Sequence, residues 1–406
     1  MVVEKGYKQT EVGVIPEDWR IVEINDAIEF SGGSQPPRST FVFSEKPDHI
    51  RLLQIRDYKS DRFLTFIPLA LANKICKKDD IMIGRYGPPI FQILTGLDGA
   101  YNVALIKAIP KNIIDKQFAY YFLKQETLFN FVEKLSQRSS GQTGVDLFQL
   151  KLYKFPLPPL PEQTAIANAL SDMDALIAQT EKLIEKKKAI KQGVMQELLK
   201  PKEGWVTKKL GEVGKCLRGV SYNPEIDLHK FPDSTNFSLL RSNNIFEGLL
   251  ELNNLQFVNK MKVKDFQVVK DSDIIICMAN GSKQLVGKSA IADNIEKNRY
   301  TYGAFMGCFR TFDSFNPKFV FSLMQSKIFR NYIDILLSGS SINNLNPSNI
   351  ESISFAFPDL ITQNEIAEII DAYSKELESL NLKLQKLKHQ KQGMMQALLT
   401  GKIRLI

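Results

Sequence analysis

The stretch Lys-Gln-Gly-Val-Met-Gln-Glu-Leu-Leu, residues 191–199, decides the fold, because it returns near the C-terminus as Lys-Gln-Gly-Met-Met-Gln-Ala-Leu-Leu, residues 391–399. Seven of the nine positions are identical, at an offset of 200 residues. The same offset relates a Pro-containing segment at 155–160 to one at 355–360, and Gln163 to Gln363. A fixed offset over this length indicates that the chain contains one unit twice.

Each copy ends a long segment with helical periodicity. From Ile366 to Leu398 apolar residues recur at steps of three and four, a heptad pattern that Lys391 interrupts, and residues 166–198 keep most of the same steps. Residues 362–365, Thr-Gln-Asn-Glu, fit a capping box, and Pro161 suits a first helical turn. Each helix is expected to be roughly 55 Å long, at about 1.5 Å per residue. A lone helix of this length with an apolar stripe is unstable in water, so we expect the two to pack antiparallel.

Two similar globular parts precede the helices. Strands are predicted at 80–84 and 103–106 in the first part and at 273–277 in the second. An amphipathic helix is predicted from Phe118 to Lys134, and the sequence at Phe319 echoes it. The expected fold class is α+β: two tandem similar α/β domains, separated by two long helices packed as an antiparallel coiled coil, in an internal repeat with pseudo-two-fold symmetry. The predicted domain boundaries are 1–158, 159–200, 201–358 and 359–406.

Composition narrows the class of protein. The chain has 406 residues and a formal net charge of +8, which is compatible with a polyanionic partner but also serves solubility. It contains no apolar run long enough to span a bilayer and no signal-peptide core at the N-terminus, so we expect a cytoplasmic location and no membrane partner. The four Cys residues form no CxxC pair, which disfavours a zinc site or a disulfide framework.

Polar loops in both globular parts are rich in side chains that read nucleic acid. Arg and Lys donate to guanine, and Asn and Gln pair with adenine. The first part offers the candidates Gln54, Arg56, Tyr58, Arg85, Tyr86, Arg138, Ser140 and Gln142. The second offers Arg241, Asn243, Asn244, Asn280, Ser282, Lys283, Lys288, Tyr302, Asn343 and Asn344. For any one of these residues a turn-forming role, or contact with solvent or a phosphate, is the simpler interpretation, so the prediction rests on the clusters.

Signals for catalysis and cofactors are weak. The Asn/Asp-Pro-Pro-Tyr/Phe motif of amino-methyltransferases and the Gly-x-Gly-x-x-Gly motif are both missing from the sequence. Residues 281–289 approach a phosphate-binding loop, but five residues separate the glycines instead of four. We interpret this segment as a glycine-bearing connection between strands, with Lys288 on a DNA phosphate. His49, His229 and His389 lie in unrelated settings. We therefore expect no catalytic residue, no bound cofactor and no metal site.

These features resemble the specificity (S, HsdS) subunits of Type I restriction–modification systems. The resemblance is carried by residues 158–167, by both Lys-Gln-Gly-x-Met-Gln-x-Leu-Leu blocks and by the closing residues 399–405, and it covers nearly the whole chain. The second Pro-containing connector departs from the family pattern, because residues 358–363 lack the Pro-Glu of the first.

The resemblance implies a non-catalytic subunit in which two target-recognition domains each read one half of a split site in double-stranded DNA. It implies that the two helices form the spacer, and that they dock two modification (M) subunits that methylate adenine. Restriction (R) subunits join through the M subunits.

Two other function classes remain open on the sequence. One is an enzyme that methylates DNA alone, which binding of S-adenosylmethionine by the isolated chain would favour. The other is a stand-alone DNA-binding or scaffold protein with a coiled-coil rod and no role in restriction. A scaffold without a DNA role predicts no salt-dependent binding to duplex DNA, whereas phosphate contacts predict a steep loss of affinity with salt.

Overall fold

The computed structural model describes residues 5–136, 144–338 and 343–405. The chain divides into two compact units. Unit 1 comprises Met1–Glu181 with Lys383–Ile406, and unit 2 comprises Lys182–Leu382. This division crosses both long helices, so each unit contains one end of each helix.

Unit 1 contains twelve strands and four short helices within the described residues, followed by the first long helix. The strands are Tyr7–Thr10 (β1), Gly13–Pro16 (β2), Arg20–Glu23 (β3), Ile28–Gly32 (β4), His49–Leu53 (β5), Phe66–Pro68 (β6), Ile75–Cys76 (β7), Ile81–Gly84 (β8), Gln92–Leu94 (β9), Gly99–Tyr101 (β10), Leu105–Pro110 (β11) and Lys154–Leu157 (β12). The helices are Ile24–Ala27 (α1), Lys116–Leu123 (α2), Glu126–Ser136 (α3), Leu147–Lys151 (α4) and the long Leu160–Leu198 (α5).

Unit 2 repeats this plan. Its strands are Val206–Lys209 (β13), Gly214–Arg218 (β14), Leu228–His229 (β15), Asn236–Leu240 (β16), Ile245–Phe246 (β17), Leu249–Leu250 (β18), Gln256–Asn259 (β19), Ile274–Cys277 (β20), Ser289–Ile291 (β21), Tyr300–Tyr302 (β22), Met306–Thr311 (β23) and Ser354–Phe357 (β24). Its helices are Leu210–Val213 (α6), Pro224–Asp227 (α7), Pro317–Met324 (α8), Lys327–Ser338 (α9), Pro347–Glu351 (α10) and the long Leu360–Leu398 (α11).

Sheet topology confirms the internal repeat. One four-stranded sheet of unit 1 has the order β4-β11-β8-β9, and its counterpart in unit 2 has the order β14-β23-β20-β21. A second sheet in each unit contains a parallel pair, β5 with β10 and β16 with β22. The strand that precedes each long helix pairs with a strand near the beginning of its unit, β12 with β3 and β24 with β13. The predicted α+β fold class is therefore confirmed.

The two long helices pack antiparallel within each unit, as the periodicity predicted. In unit 1, Asp174 pairs with Lys391 at 2.5 Å and Glu181 pairs with Lys388 at 2.7 Å, so positions rise along one helix as they fall along the other. In unit 2, Lys187 pairs with Glu376 at 2.6 Å. Apolar residues of both helices enter the core of each unit, among them Ile166, Leu170 and Leu398 in unit 1. Burial of each such side chain stabilises the fold by about 1.5–3 kcal/mol.

Buried glutamines at the offset of 200 attach each long helix to its globular part. The Gln163 side chain donates to the carbonyls of Ile113 and Pro158 and accepts from Asp115 N at 2.7 Å. Gln363 donates to Pro358 O at 2.9 Å and accepts from Asn316 N at 3.0 Å. Both glutamines are only 1% exposed. In each unit, the glutamine amide therefore joins the start of the long helix to the start of an earlier helix, α2 in unit 1 and α8 in unit 2.

The residues after Leu399 pack on the beginning of unit 1. Arg404 donates to both carboxylate oxygens of Glu162, at 3.1 and 2.7 Å, and to both oxygens of Asp18. Glu162 is fully buried and also accepts from Trp19 Nε1 at 2.9 Å. Hydrogen bonds to the carboxylates of Glu162 and Asp18 raise the pKa of Arg404 above its ordinary value. The tail is thus held by a charge-assisted network around a buried carboxylate.

Two local predictions were wrong. The predicted helix from Phe118 to Lys134 is two helices, α2 and α3, because Lys124 leaves the helical conformation and caps α2; α8 and α9 repeat this break. The proposed capping box at 362–365 lies inside α11, which begins at Leu360. The cap is Asp359, whose carboxylate accepts from Thr362 N at 2.9 Å.

Candidate nucleic-acid interface

In unit 1, loops that follow separate strands are joined into what we call loop cluster 1: residues 54–58, 85–86, 102–104 and 144–145. Arg85 N donates to Ala104 O at 2.8 Å, and Val145 N donates to Arg85 O at 3.1 Å. Tyr86 forms an isolated antiparallel bridge with Gly144. Asn102 N donates to Leu53 O, which brings the 3₁₀ turn Ile55–Tyr58 beside the other segments.

Unit 2 builds the same arrangement, loop cluster 2: residues 241–244, 278–283, 303–305 and 343–345. Met278 N donates to Phe305 O at 2.9 Å, and Leu345 N donates to Met278 O at 2.8 Å. Ala279 bridges Asn344, as Tyr86 bridges Gly144. Gly303 N donates to Leu240 O at 3.0 Å, which is the counterpart of the Asn102–Leu53 bond. The backbone scaffold of the two clusters is therefore the same.

Side-chain hydrogen bonds tie loop cluster 2 together further. Asn280 Nδ2 donates to Ser242 Oγ at 3.3 Å, and Asn343 Nδ2 donates to Gly281 O at 3.2 Å. Asn280 N also donates to Asn343 O. Three loops that are more than thirty-five residues apart in sequence thus meet through two of the candidate residues, Asn280 and Asn343.

The predicted residues differ in exposure. Those with exposed side chains are Arg56, Asn243, Ser282, Lys283 and Asn344. Those that are half-buried are Gln54, Tyr58, Arg85, Tyr86, Arg241, Asn280, Lys288 and Asn343. Arg138, Ser140 and Gln142 lie outside the described residues. Thirteen candidates therefore have a surface that a ligand can reach.

Asn244 and Tyr302 are buried, and we exclude them from the candidate interface. Asn244 accepts from Arg241 N at 3.0 Å and donates to Glu251 O at 2.9 Å, so its side chain shapes the turn Ser242–Asn244. Tyr302 is 0% exposed, and burial raises the pKa of its hydroxyl well above the ordinary value. The sequence prediction missed this because turn and strand residues of these types are also common at the surface.

Arginines with unsatisfied donors lie in both clusters. The Nε atoms of Arg85 and Arg241 are buried without a hydrogen-bond partner in the part of the chain that the structure describes. An unpaired buried donor costs free energy, which an acceptor on a ligand would recover after a small rearrangement. The Arg85 guanidinium also stacks 5.3 Å from the Tyr86 ring centre.

Sequence reasoning missed an aromatic group beside loop cluster 1 and one within loop cluster 2. Phe63 is 56% exposed, and the guanidinium groups of Arg56 and Arg62 lie 5.6 and 5.2 Å from its ring centre. Phe305 is 71% exposed in loop cluster 2. Neither loop carries a recognisable sequence motif. Phe305 could have been identified only from its position in the repeat, directly before β23, the strand that matches β11.

The segment that approaches a phosphate-binding loop is a strand connection, as the sequence indicated. It contains the 3₁₀ turn Lys283–Leu285 and leads into β21. Gly287 adopts φ +85°, and a Cβ atom there would lie 2.9 Å from Ile333 Cγ1. Glycine is therefore required by the close packing of α9 and by the backbone conformation.

Groups that could hold a metal are not assembled in the described ranges, where no cluster of three or more His, Cys, Asp or Glu residues occurs. The four cysteines are free and buried. Among the described helices, none combines the length and the hydropathy that a membrane crossing requires.

Comparison with known proteins gives consistent matches. The family model described as the Type I restriction modification DNA specificity domain matches the chain twice, over residues 16–191 and 202–389. The specificity subunit of the Type I restriction enzyme MjaVIII from Methanocaldococcus jannaschii is 25% identical over 425 aligned positions, covering 99% of this chain and 97% of that protein. The StySPI specificity subunit from Salmonella potsdam is 33% identical over 203 residues, covering 49% of this chain but only 43% of that protein.

Solved structures agree on the fold. The crystal structure of the S subunit of a Type I restriction–modification system from M. genitalium superposes with a TM-score of 0.59 at 15% identity, covering 98% of both chains. A chain from a study of complex assembly and conformational transition of the Type I restriction–modification system gives a TM-score of 0.55 at 14% identity, covering 96% of this chain and 99% of that one.

Proposed function

Because the chain belongs to the Type I restriction–modification DNA specificity family, whose members are non-catalytic recognition subunits, we propose that its two loop clusters read the two halves of a bipartite DNA target. The observation that carries the proposal is one backbone scaffold built twice with different side chains. A fixed scaffold with different donors and acceptors suits two modules that read different base sequences.

The chemistry of the clusters favours readout in the major groove. Each base pair presents a distinct set of donors and acceptors there, which Arg, Asn and Gln match. Loop cluster 1 presents Gln54, Arg56 and Arg85, and loop cluster 2 presents Arg241, Asn280 and three further asparagines.

The proposed protein partners are two M subunits that methylate adenine, and R subunits that join through them. An apolar row on α5 supports this docking: Leu176, Leu183 and Ile190 recur every seven residues and are 39%, 40% and 37% exposed. Solvent-exposed apolar side chains at helical spacing are typical of a surface that packs against another protein. We propose further that α5 and α11 set the spacing between the half-sites, so that adding one heptad to both helices changes the spacing or abolishes assembly.

The test is to assemble the chain with its M subunits and to map methylated adenines in DNA. We expect methylation at a single bipartite sequence. Arg241→Ala is expected to reduce methylation at that sequence, while the control Arg299→Ala, an exposed ion-paired arginine of unit 2 outside loop cluster 2, keeps it. Sequence-independent methylation, or methylation by this chain without M subunits, contradicts the proposal. A stand-alone DNA-binding protein would instead bind DNA and support no methylation.

A further inference from the structure

An aromatic side chain occurs in each loop cluster, but at exchanged positions. The matched bonds Arg85 N to Ala104 O and Met278 N to Phe305 O make Ala104 and Phe305 counterparts. The matched bridges to Gly144 and Asn344 make Tyr86 and Ala279 counterparts. Unit 1 therefore has an aromatic residue after β8 and alanine before β11, whereas unit 2 has alanine after β20 and phenylalanine before β23.

The two aromatic rings have different surroundings. The Tyr86 ring packs over Gly144, where a Cβ atom would lie 3.0 Å from Tyr86 Cε1, and the Arg85 guanidinium lies over the ring at 5.3 Å from its centre. Tyr86 is half-buried by these neighbours. Phe305, in contrast, is 71% exposed. The Tyr86 ring thus supports its own loop, whereas the Phe305 ring is open to a ligand.

The backbone that carries Phe305 is held firmly. Its carbonyl accepts from both Met278 N and Ala279 N, at 2.9 and 3.1 Å. The turn before it is closed by the bond from Met306 N to Gly303 O at 2.8 Å. Burial of an apolar ring that is held exposed to water is favourable. A partner that covers the Phe305 ring would therefore gain binding free energy.

We propose that Phe305 packs against the C5-methyl group of a thymine in the half-site that loop cluster 2 reads. The inference rests on the proposed function. The thymine methyl is the apolar group that base pairs present in the major groove, and Phe is among the residues that contact it. Asn280 and Asn343, in the same loop cluster as Phe305, supply donors and acceptors for neighbouring bases.

The test replaces thymine by deoxyuracil, which lacks only that methyl group. Duplexes containing the mapped target carry one replacement at a time, and their affinity for the chain assembled with M subunits is measured. We expect one position in the second half-site where deoxyuracil weakens binding about fourfold, the factor that corresponds to about 0.8 kcal/mol for one buried methyl-sized group. Phe305→Ala is expected to bind the thymine and deoxyuracil duplexes equally.

A matched control lies on the same strand. Phe312 directly follows β23 as Phe305 directly precedes it, and it is 48% exposed at the opposite end. Phe312→Ala is expected to keep the fourfold discrimination. Phe305→Leu keeps an apolar side chain and is expected to retain a preference for thymine, which separates loss of the contact from loss of the fold.

Two results would overturn the inference: no thymine of the second half-site is sensitive to loss of its methyl group, or Phe305→Ala keeps the full discrimination. Failure of the proposed function has a different signature, because specific binding to the bipartite target would then be missing for every duplex and every variant.

Discussion

Lys391 Nζ lies 2.5 Å from Asp174 Oδ1 between the two long helices of unit 1, and Tyr121 donates to the other oxygen of the same carboxylate at 2.9 Å. Lys391 is the residue that interrupts the heptad pattern, so the structure explains the interruption by a polar cluster. Its repeat counterpart Lys191 has a different environment. Burial lowers the pKa of Lys191, although the carboxylates of Asp371 and Glu247 act in the opposite direction.

Methionine at these two repeat positions is expected to have different effects on stability. Lys391→Met removes the cation from Asp174 and should destabilise the chain by about 1–2 kcal/mol, as loss of a hydrogen bond to a charged group does. Lys191→Met removes a partly desolvated charge and should leave stability unchanged or raise it. Differential scanning calorimetry on both variants checks this. Equal destabilisation by both would show that the two lysines have the same role.

Arg404→Ala should destabilise unit 1 by about 3 kcal/mol, because it leaves the buried Glu162 carboxylate without its cation. Lys402→Ala is the matched control, since this cation of the same tail is exposed. Urea unfolding followed by Trp19 fluorescence measures the difference. In a double-mutant cycle, Glu162→Gln should reduce the effect of Arg404→Ala; independent, additive effects would contradict the network.

Gly33→Ala should disrupt the packing of unit 1 at the connection between β10 and β11, whereas Gly32→Ala should be tolerated. A Cβ atom at Gly33 would lie 1.9 Å from Asn102 O, and one at Gly32 would have no heavy atom within 4 Å. Overpacking against backbone costs about 3 kcal/mol or more. Amide hydrogen exchange of β10 and β11 should be faster only in the first variant. Unchanged exchange in Gly33→Ala would show that the backbone can separate there at little cost.

The free energy of unfolding should fall as pH rises above about 9. Burial raises the pKa of Cys216 from 9.0 to about 12, so the folded chain keeps a proton that the unfolded chain releases. Stability from this group is complete below the unfolded pKa and is lost between the unfolded and folded values. Between about pH 8 and 10, Cys216→Ala should show a decline about 1 kcal/mol smaller than the unsubstituted chain. Urea titrations at both pH values check this, and an identical decline would contradict it.

Exchange of residues 1–158 for the corresponding part of another family member should change one half-site of the methylated sequence. The reason is that every bond described for loop cluster 1 lies within this segment. Methylation mapping with the exchanged chain gives the answer. A change in both half-sites, or in neither, would contradict the assignment of one half-site to each cluster.

The sequence predicted the repeat and the antiparallel helices, because these depend on periodicity and on a fixed offset. It did not predict which polar residues are buried. Asparagine is a common turn residue both at an exposed surface and in a buried loop. The burial of Asn244 depends on its contacts with Glu251 and Asn253. Phe305 was missed for the same reason: its exposure follows from how β22 and β23 are joined. Side-chain environments of this kind arise from tertiary contacts that no local pattern encodes.

Gln163 and Gln363 hold each globular part to its long helix through a carboxamide, which carries no charge at any pH that the protein experiences. Mobile ions screen charges, but they leave such a neutral, enclosed joint unchanged. When DNA affinity is measured at increasing salt concentration, its slope should therefore report the number of phosphates that the protein neutralises. The junction between each globular part and its long helix should not loosen with salt and should add nothing to that slope.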